Sequence, residues 1–171
     1  MLLHEETLEA SAARTPDKVA LVVGETRYTY AQIDAMATGL AAVLRARGVA
    51  RGDRVATFLD NGVEAVVSIY GALKCGAVFM PVNPLTKKGK LAYLLNDSRA
   101  VALVAHSTLH AEVHGALAAN TSVRTCFLVG DARAARDADA RYVSFPAHPA
   151  EAVTFDAPPT IDQDLASIIY T

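Results

Sequence analysis

RVATFLDNGVEAVVSIYGALKCGAVFM, residues 54–80, decides the fold. Its first part, RVATFL, is a short run of apolar and β-branched residues that stops at Asp60, and it reads as a strand. Asn61 and Glu64 stand at the spacing of a helix cap and its partner. Val66, Ile69, Tyr70 and Leu73 then recur on one helical face until Gly76 supplies a stop. AVFM begins a second strand, which Pro81 cuts short. Strand, helix and strand joined this tightly form a βαβ unit, so the sequence predicts parallel strands linked by a right-handed crossover.

The alternation continues on both sides. Toward the C-terminus a helix over 86–96 leads into VALVA (101–105), and a further helix leads into TCFLV (125–129). Toward the N-terminus, Leu2, Leu3, Leu8 and Ala12 suit one face of a first helix, which Thr15-Pro16 ends because the residue before proline is driven out of the helical region. VALVV (19–23) and TRYTY (26–30), separated by Gly24-Glu25, read as a hairpin. Thr29 then caps the strongest helix in the chain, with Gln32 as capping-box partner, Ile33, Met36, Leu40 and Leu44 as the buried stripe, and Gly48 as the stop. The expected fold is α/β, a mainly parallel sheet flanked by helices, over residues 1–130. After Gly130 the charged, alanine-rich GDARAARDADAR and the stretch through Pro146, Pro149, Pro158 and Pro159 read as a surface connection over 131–164, with one short strand at 142–145. Residues 165–171, within DLASIIYT, read as a strand of buried type through Ile168, Ile169 and Tyr170. No internal repeat interrupts this order.

Composition bounds what such a sheet can do. The 171 residues are 52% hydrophobic and 20% charged, enough for one domain with a sizeable core and too apolar for disorder. A net charge of −2 with interspersed signs leaves no broad basic surface, which argues against nucleic acid as a partner. Cys75 and Cys126 lie far apart with no other cysteine, so they are expected to be reduced, buried, small hydrophobes. MLLHEETLEA lacks the basic flank of a signal peptide, and no apolar run is long enough to span a bilayer, so the cytoplasm is the expected compartment.

Several blocks together resemble a known family. RTPDKVALV (14–22), RYTYAQIDAMATGLAAVL (27–44), GALKCGAVFMPVNPLTKKGKLAYLLNDS (71–98) and DLASIIYT (164–171) occur in the order and spacing of the N-terminal part of AMP-forming acyl-activating enzymes. That group contains acyl-CoA synthetases, coumarate-CoA ligases, luciferases and peptide-synthetase adenylation domains. The resemblance covers nearly the whole chain, and VNPLTKKGKLAYLLNDS looks most like fatty-acyl and related CoA ligases. It implies the N-terminal subdomain of the acyl-CoA synthetase-like fold, and an intact enzyme that joins a carboxylate to ATP, releases pyrophosphate and passes the acyl group to CoA. ATP, Mg²⁺ and CoA are thus implied for the parent enzyme, and none is expected for this chain alone.

In the family, the strand matching SIIYT runs into a Ser/Thr/Gly-rich loop with a lysine that holds the phosphates of ATP. Thr171 is the one position here that matches the start of that loop. The acyl pocket, adenine contacts, metal-binding glutamate and catalytic lysine of the family belong to segments this sequence lacks, so the resemblance implies a chain cut before the loop and inactive alone. That loop is needed because a carboxylate oxygen is a poor leaving group until adenylated, and attack on the α-phosphate requires neutralisation of the triphosphate.

Other constellations are weaker. PLTKKGK (84–90) imitates the end of a P-loop, but Pro84 stands where the first glycine belongs and Leu91 where the hydroxyl belongs. Three lysines at a helix N-terminus oppose the dipole, so that helix is expected to start late or fray. His106, His110 and His114 fall at helical spacing, but Ser107 replaces the glutamate of the zinc-protease pattern. They are read as a solvent-facing stripe with no bound metal. Cys75, in a helix end against an apolar strand, is read as inert. Ser68 and Ser98 lack sequence-local triad partners. Asp131, Asp137 and Asp139 are read as a solvated loop, and Asp53 and Asp60 as turn and cap residues.

The reading is the N-terminal portion of an AMP-forming acid–CoA ligase. Its alternatives are a non-catalytic partner subunit of a split ligase and a stand-alone flavodoxin-like binding module. A strand end rich in apolar residues calls for cover, so Ile168, Ile169 and Tyr170 are expected to be exposed and to draw a second copy into a homo-oligomer.

Overall fold

The computed structural model describes residues 4–119, 122–146 and 156–171. Leu2, Leu3 and Pro149, named above, lie outside them. The first helix, α1, is His4–Arg14, and the hairpin follows as β1 (Val19–Val23) and β2 (Thr26–Thr29). Helix α2 (Tyr30–Ala46) begins at the expected capping box. The Gln32 amide donates to Thr29 Oγ1 at 3.3 Å, and the Thr29 amide donates to Gln32 Oε1 at 2.8 Å. Ile33, Met36, Leu40 and Leu44 are all buried.

The βαβ unit is β3 (Arg54–Phe58), α3 (Val63–Lys74) and β4 (Val78–Pro81), and β3 and β4 are parallel. Its cap differs from expectation. Gly62 is the N-cap and no side chain caps the helix, so Asn61 belongs to the loop before it. Helix α4 (Lys88–Asp97) starts later than residue 86, as the lysines require, and an acid from another helix compensates: Glu112 Oε2 accepts from the Lys88 amide at 2.6 Å.

Strand β5 (Ala100–His106), a 3₁₀ turn at Ser107–Leu109, α5 (His110–Ala118) and β6 (Thr125–Val129) complete the alternation. Two elements then fall within 131–164. Helix α6 (Arg133–Ala138) was not foreseen, and β7 (Tyr142–Ser144) pairs parallel with β6.

The five-stranded sheet has the order β4-β3-β5-β6-β7, parallel throughout. That is the doubly wound arrangement in which the first strand lies between the second and third. Alternate side chains therefore enter separate cores. Ala56, Phe58, Leu103, Ala105, Cys126 and Leu128 pack under α4, α5 and α6. Val55, Ala102, Val104, Phe127 and Val129 pack under α1, α2 and α3. Each fully buried large side chain contributes about 1.5–3 kcal/mol.

The end of the chain returns to the free edge of β4. Arg51 holds Asp164 through a two-pronged ion pair at 2.7 and 2.8 Å, and Pro158 lies over Gly76, where a Cβ would approach its Cγ to 2.8 Å. The Phe79 amide donates to Ala166 O at 3.0 Å, and the Ile168 amide donates to Phe79 O at 3.1 Å, forming a parallel bridge between Phe79 and Ser167. The strand expected over 165–171 is thus one bridge. Ile168 and Tyr170 pack on the α4–α6 core, and only Ile169 of the three stands open, at 67% exposure.

Candidate functional site

A parallel sheet gathers the carboxyl ends of its strands at one rim, where loops are free to carry chemistry. At the ends of β3 and β4, Leu59, Asp60, Asn61, Pro81, Val82, Asn83 and Pro84 surround a cavity of about 370 Å³. The cavity wall is fixed by backbone geometry. The Val82 amide donates to Thr57 O at 2.8 Å, and Asn83 Oδ1 accepts from the Leu85 amide at 2.9 Å, closing a turn before α4. At the ends of β6 and β7 a second cavity of about 550 Å³ is lined by Gly130, Asp131, Ala132, Arg133, Arg136 and Ser144. Gly130 has φ +88°, and a Cβ there would meet Ser107 Oγ at 2.6 Å, so β5 and β6 end in close contact.

Thr171, the position matched to the phosphate loop, is exposed and follows the segment that bridges β4. The chemistry-bearing residues considered in the sequence are dispersed. Ser68 donates to Glu64 O at 2.6 Å inside α3, and Ser98 donates to Leu94 O at 2.7 Å at the end of α4, so both hydroxyls serve their own helices. Asp53 accepts from the Ala50 amide in a turn, as expected. Asp60 is exposed at the rim and caps no helix. Asp131 accepts from the Arg133 amide at 3.0 Å. Asp139 is not a free loop acid: Arg141 grips it at 2.6–3.2 Å and holds its carboxyl below the usual range.

Both cysteines are buried. Burial pushes the Cys75 thiol up to about 11 and raises Cys126 further, so neither is a thiolate at neutral pH. The histidines separate. His106 ends β5, where its Nδ1 accepts from the Thr108 amide at 3.2 Å, while His110 and His114 share α5 with ring centroids 5.6 Å apart. His110 is not on a solvent-facing stripe, since its ring lies 5.2 Å from buried Tyr142. Among the described residues no group of three or more His, Cys, Asp or Glu is placed to hold a metal ion.

Sequence reading missed two features. Lys74 is buried with ion pairs to Glu9 and Asp34. Tyr170 donates to Asp97 at 2.6 Å, and that bond, reinforced by burial, raises its hydroxyl to about 12. Neither had a local signal, because each joins segments remote in sequence.

The fold alone fits both a flavodoxin-like module and the N-terminal subdomain of a ligase; comparison with known proteins separates them. The family model described as AMP-binding enzyme matches residues 8–171. A medium/long-chain-fatty-acid–CoA/3-oxocholest-4-en-26-oate–CoA ligase of Mycobacterium marinum is 37% identical over 129 residues, 75% of this chain and 23% of that protein. Bacitracin synthase 1 of Bacillus licheniformis is 38% identical over 102 residues, 60% of this chain and 2% of that protein. Among solved structures, a Mycobacterium tuberculosis fatty acyl CoA synthetase superposes with a TM-score of 0.73 at 30% identity, covering 98% of this chain and 32% of that one. The N-terminal domain of FACL13 from the same organism gives 0.75 at 30% identity, covering 100% of this chain and 42% of that one. The chain spans less than half the length of each of these relatives. With the match running through the core strands and into the segment bridged to β4, the chain belongs to the AMP-binding enzyme family.

Proposed function

We propose that the chain is the N-terminal portion of an ATP-dependent, AMP-forming ligase that joins a carboxylic acid, of fatty or related type, to CoA through an acyl-adenylate. The observation that carries this reading is the family match from residue 8 to 171 on a doubly wound sheet whose edge is already paired with the segment leading to Thr171. Thr171 is proposed to open the phosphate-holding loop of the longer enzyme, for which ATP, Mg²⁺ and CoA are the proposed small molecules. Two buried, unpaired thiols fit a reducing compartment, and the cytoplasm is proposed. Among the described residues no helix is long and apolar enough to cross a membrane.

Of the two rim cavities, the one at the ends of β3 and β4 offers one carboxylate and no cation to a triphosphate, while the one at the ends of β6 and β7 sets Arg133 and Arg136 beside Asp131. By its resemblance to the family, the isolated chain is proposed to be inactive. Leu165 and Ile169 stay exposed beside the bridged segment, and a second copy is proposed to cover them.

Carboxylate-dependent ATP–pyrophosphate exchange tests the reading. The 171-residue chain alone is expected to give background exchange, and the longer protein that continues beyond Thr171 to give exchange with medium- or long-chain fatty acids. Exchange by the isolated chain, or none by the longer protein with any carboxylic acid, contradicts it.

A further inference from the structure

The segment PLTKKGK, to which the ligase reading assigns no chemistry, stands at the turn before α4. Leu85 stands 80% exposed at the turn before α4, and Lys87, Lys88 and Lys90 follow it, all exposed. Lys90 and Tyr93 lie on the outward side of α4, opposite the buried Leu91, Leu94 and Leu95, and Tyr93 is 62% exposed. Lys88 lies along α5, its Cδ within 2.9 Å of where a Cβ on Gly115 would be. Of the neighbouring acids, one offsets a lysine of the patch and the other is held by Tyr170. Glu112 accepts from the Lys88 amide and sits 4.0 Å from the Lys87 ammonium, and Asp97 accepts from Tyr170. A chain of net charge −2 thus sets three exposed lysines against one offsetting acid, Glu112, beside the exposed Leu85 and Tyr93, at and along the start of α4.

We infer that this face, formed by Leu85, Lys87, Lys88, Lys90 and Tyr93, docks on an anionic lipid surface. Three features select that occupant. Lysines gain from the negative potential of acidic headgroups. An exposed leucine at the tip of a lysine-flanked turn gains by entering the acyl boundary. Tyr93, in the second turn of α4, belongs at the headgroup level, where its ring is apolar and its hydroxyl wet. An acidic protein surface would satisfy the lysines and leave Leu85 and Tyr93 without a role. The inference rests on this surface alone and stands apart from the ligase reading.

Co-sedimentation of the chain with vesicles tests it, comparing phosphatidylcholine alone with phosphatidylcholine mixed with phosphatidylglycerol. Binding is expected only to the mixed vesicles and to weaken at high salt. The triple variant Lys87→Gln, Lys88→Gln, Lys90→Gln is expected to lose about a hundredfold in partitioning, roughly fivefold per lysine. Leu85→Ser is expected to lose about tenfold. All these positions are exposed, and an unchanged urea midpoint confirms that the variants fold. No binding to the anionic vesicles, or binding indifferent to both variants, overturns the proposal. So does tight binding to polyglutamate that depends on the lysines and ignores Leu85, which assigns the face to an acidic protein. Loss of self-association by Leu85→Ser without lipid also overturns it, and assigns the face to a second copy.

Discussion

Gly71 of α3 lies directly against Leu40 of α2: a Cβ on Gly71 would sit 2.9 Å from Leu40 Cδ2 and 3.0 Å from its Cβ and Cγ. Leu40 is fully buried, so it has nowhere to retreat. Gly71→Ala gains helix propensity but overpacks the α2–α3 contact, and overpacking costs about 1–3 kcal/mol. The variant is expected to unfold at lower urea concentration than the natural chain. An equal or higher midpoint would show that the helices separate without penalty.

Lys74 ties three helices together. Its side chain is 4% exposed, pairs with Glu9 of α1 and lies 3.0 Å from Asp34 Oδ1 of α2. Both carboxylates are partly open to solvent, which limits the value of the ion pairs. Lys74→Ala removes the packed stem and leaves Asp34 unpaired, and is expected to cost about 2–3 kcal/mol. Lys74→Met keeps the stem and is expected to cost about half as much. Equal, negligible losses in a urea titration of both variants would contradict this.

How far these features were legible depended on whether their causes are local. The Thr29–Gln32 capping box and the apolar stripe of α2 lie within a few residues of each other, and both formed as read. The alternation of Val55, Ala56 and Phe58 between two cores follows from strand period and parallel pairing, so the doubly wound sheet was also accessible. The cap on α4 was not, because Glu112 reaches Lys88 from another helix. Nor was the fate of Ile168 and Tyr170: an apolar strand end looks uncovered until its own core is seen to receive two of its side chains. No site was legible from spacing: Thr171 is named through resemblance alone and carries no chemistry of its own.

Asp139 makes stability depend on acid. Hydrogen bonds from Arg141 lower its folded value below the ordinary one, so the unfolded chain binds a proton first as pH falls. The contribution is fully present above the unfolded value, near pH 4, and is lost as pH falls through the folded one. Asp139→Asn is expected to be less stable than the natural chain at pH 6, with the gap closing toward pH 2.5. The pair is partly exposed, so the gap is small. A gap that is constant across urea midpoints in this range would exclude the ion pair as its source.

The open Leu165 and Ile169 predict self-association. Light scattering coupled to gel filtration is expected to show a dimer or larger species at tens of micromolar, returning toward monomer in Leu165→Ser combined with Ile169→Ser. A clean 18.1 kDa monomer in the natural chain would show that Ile168 and Tyr170 already provide the cover this edge requires.

The central claim, that residues 8–171 are a working N-terminal portion of an AMP-forming ligase, is tested most directly by transplantation. Residues 8–171 are exchanged for the matching segment of the Mycobacterium marinum CoA ligase, and fatty-acid-dependent ATP–pyrophosphate exchange is measured. Exchange is expected above that of the ligase lacking the segment, and is expected to fall in Ile168→Pro, which removes the amide that donates to Phe79 O. A chimera that folds cooperatively yet gives no exchange with any fatty acid would contradict it.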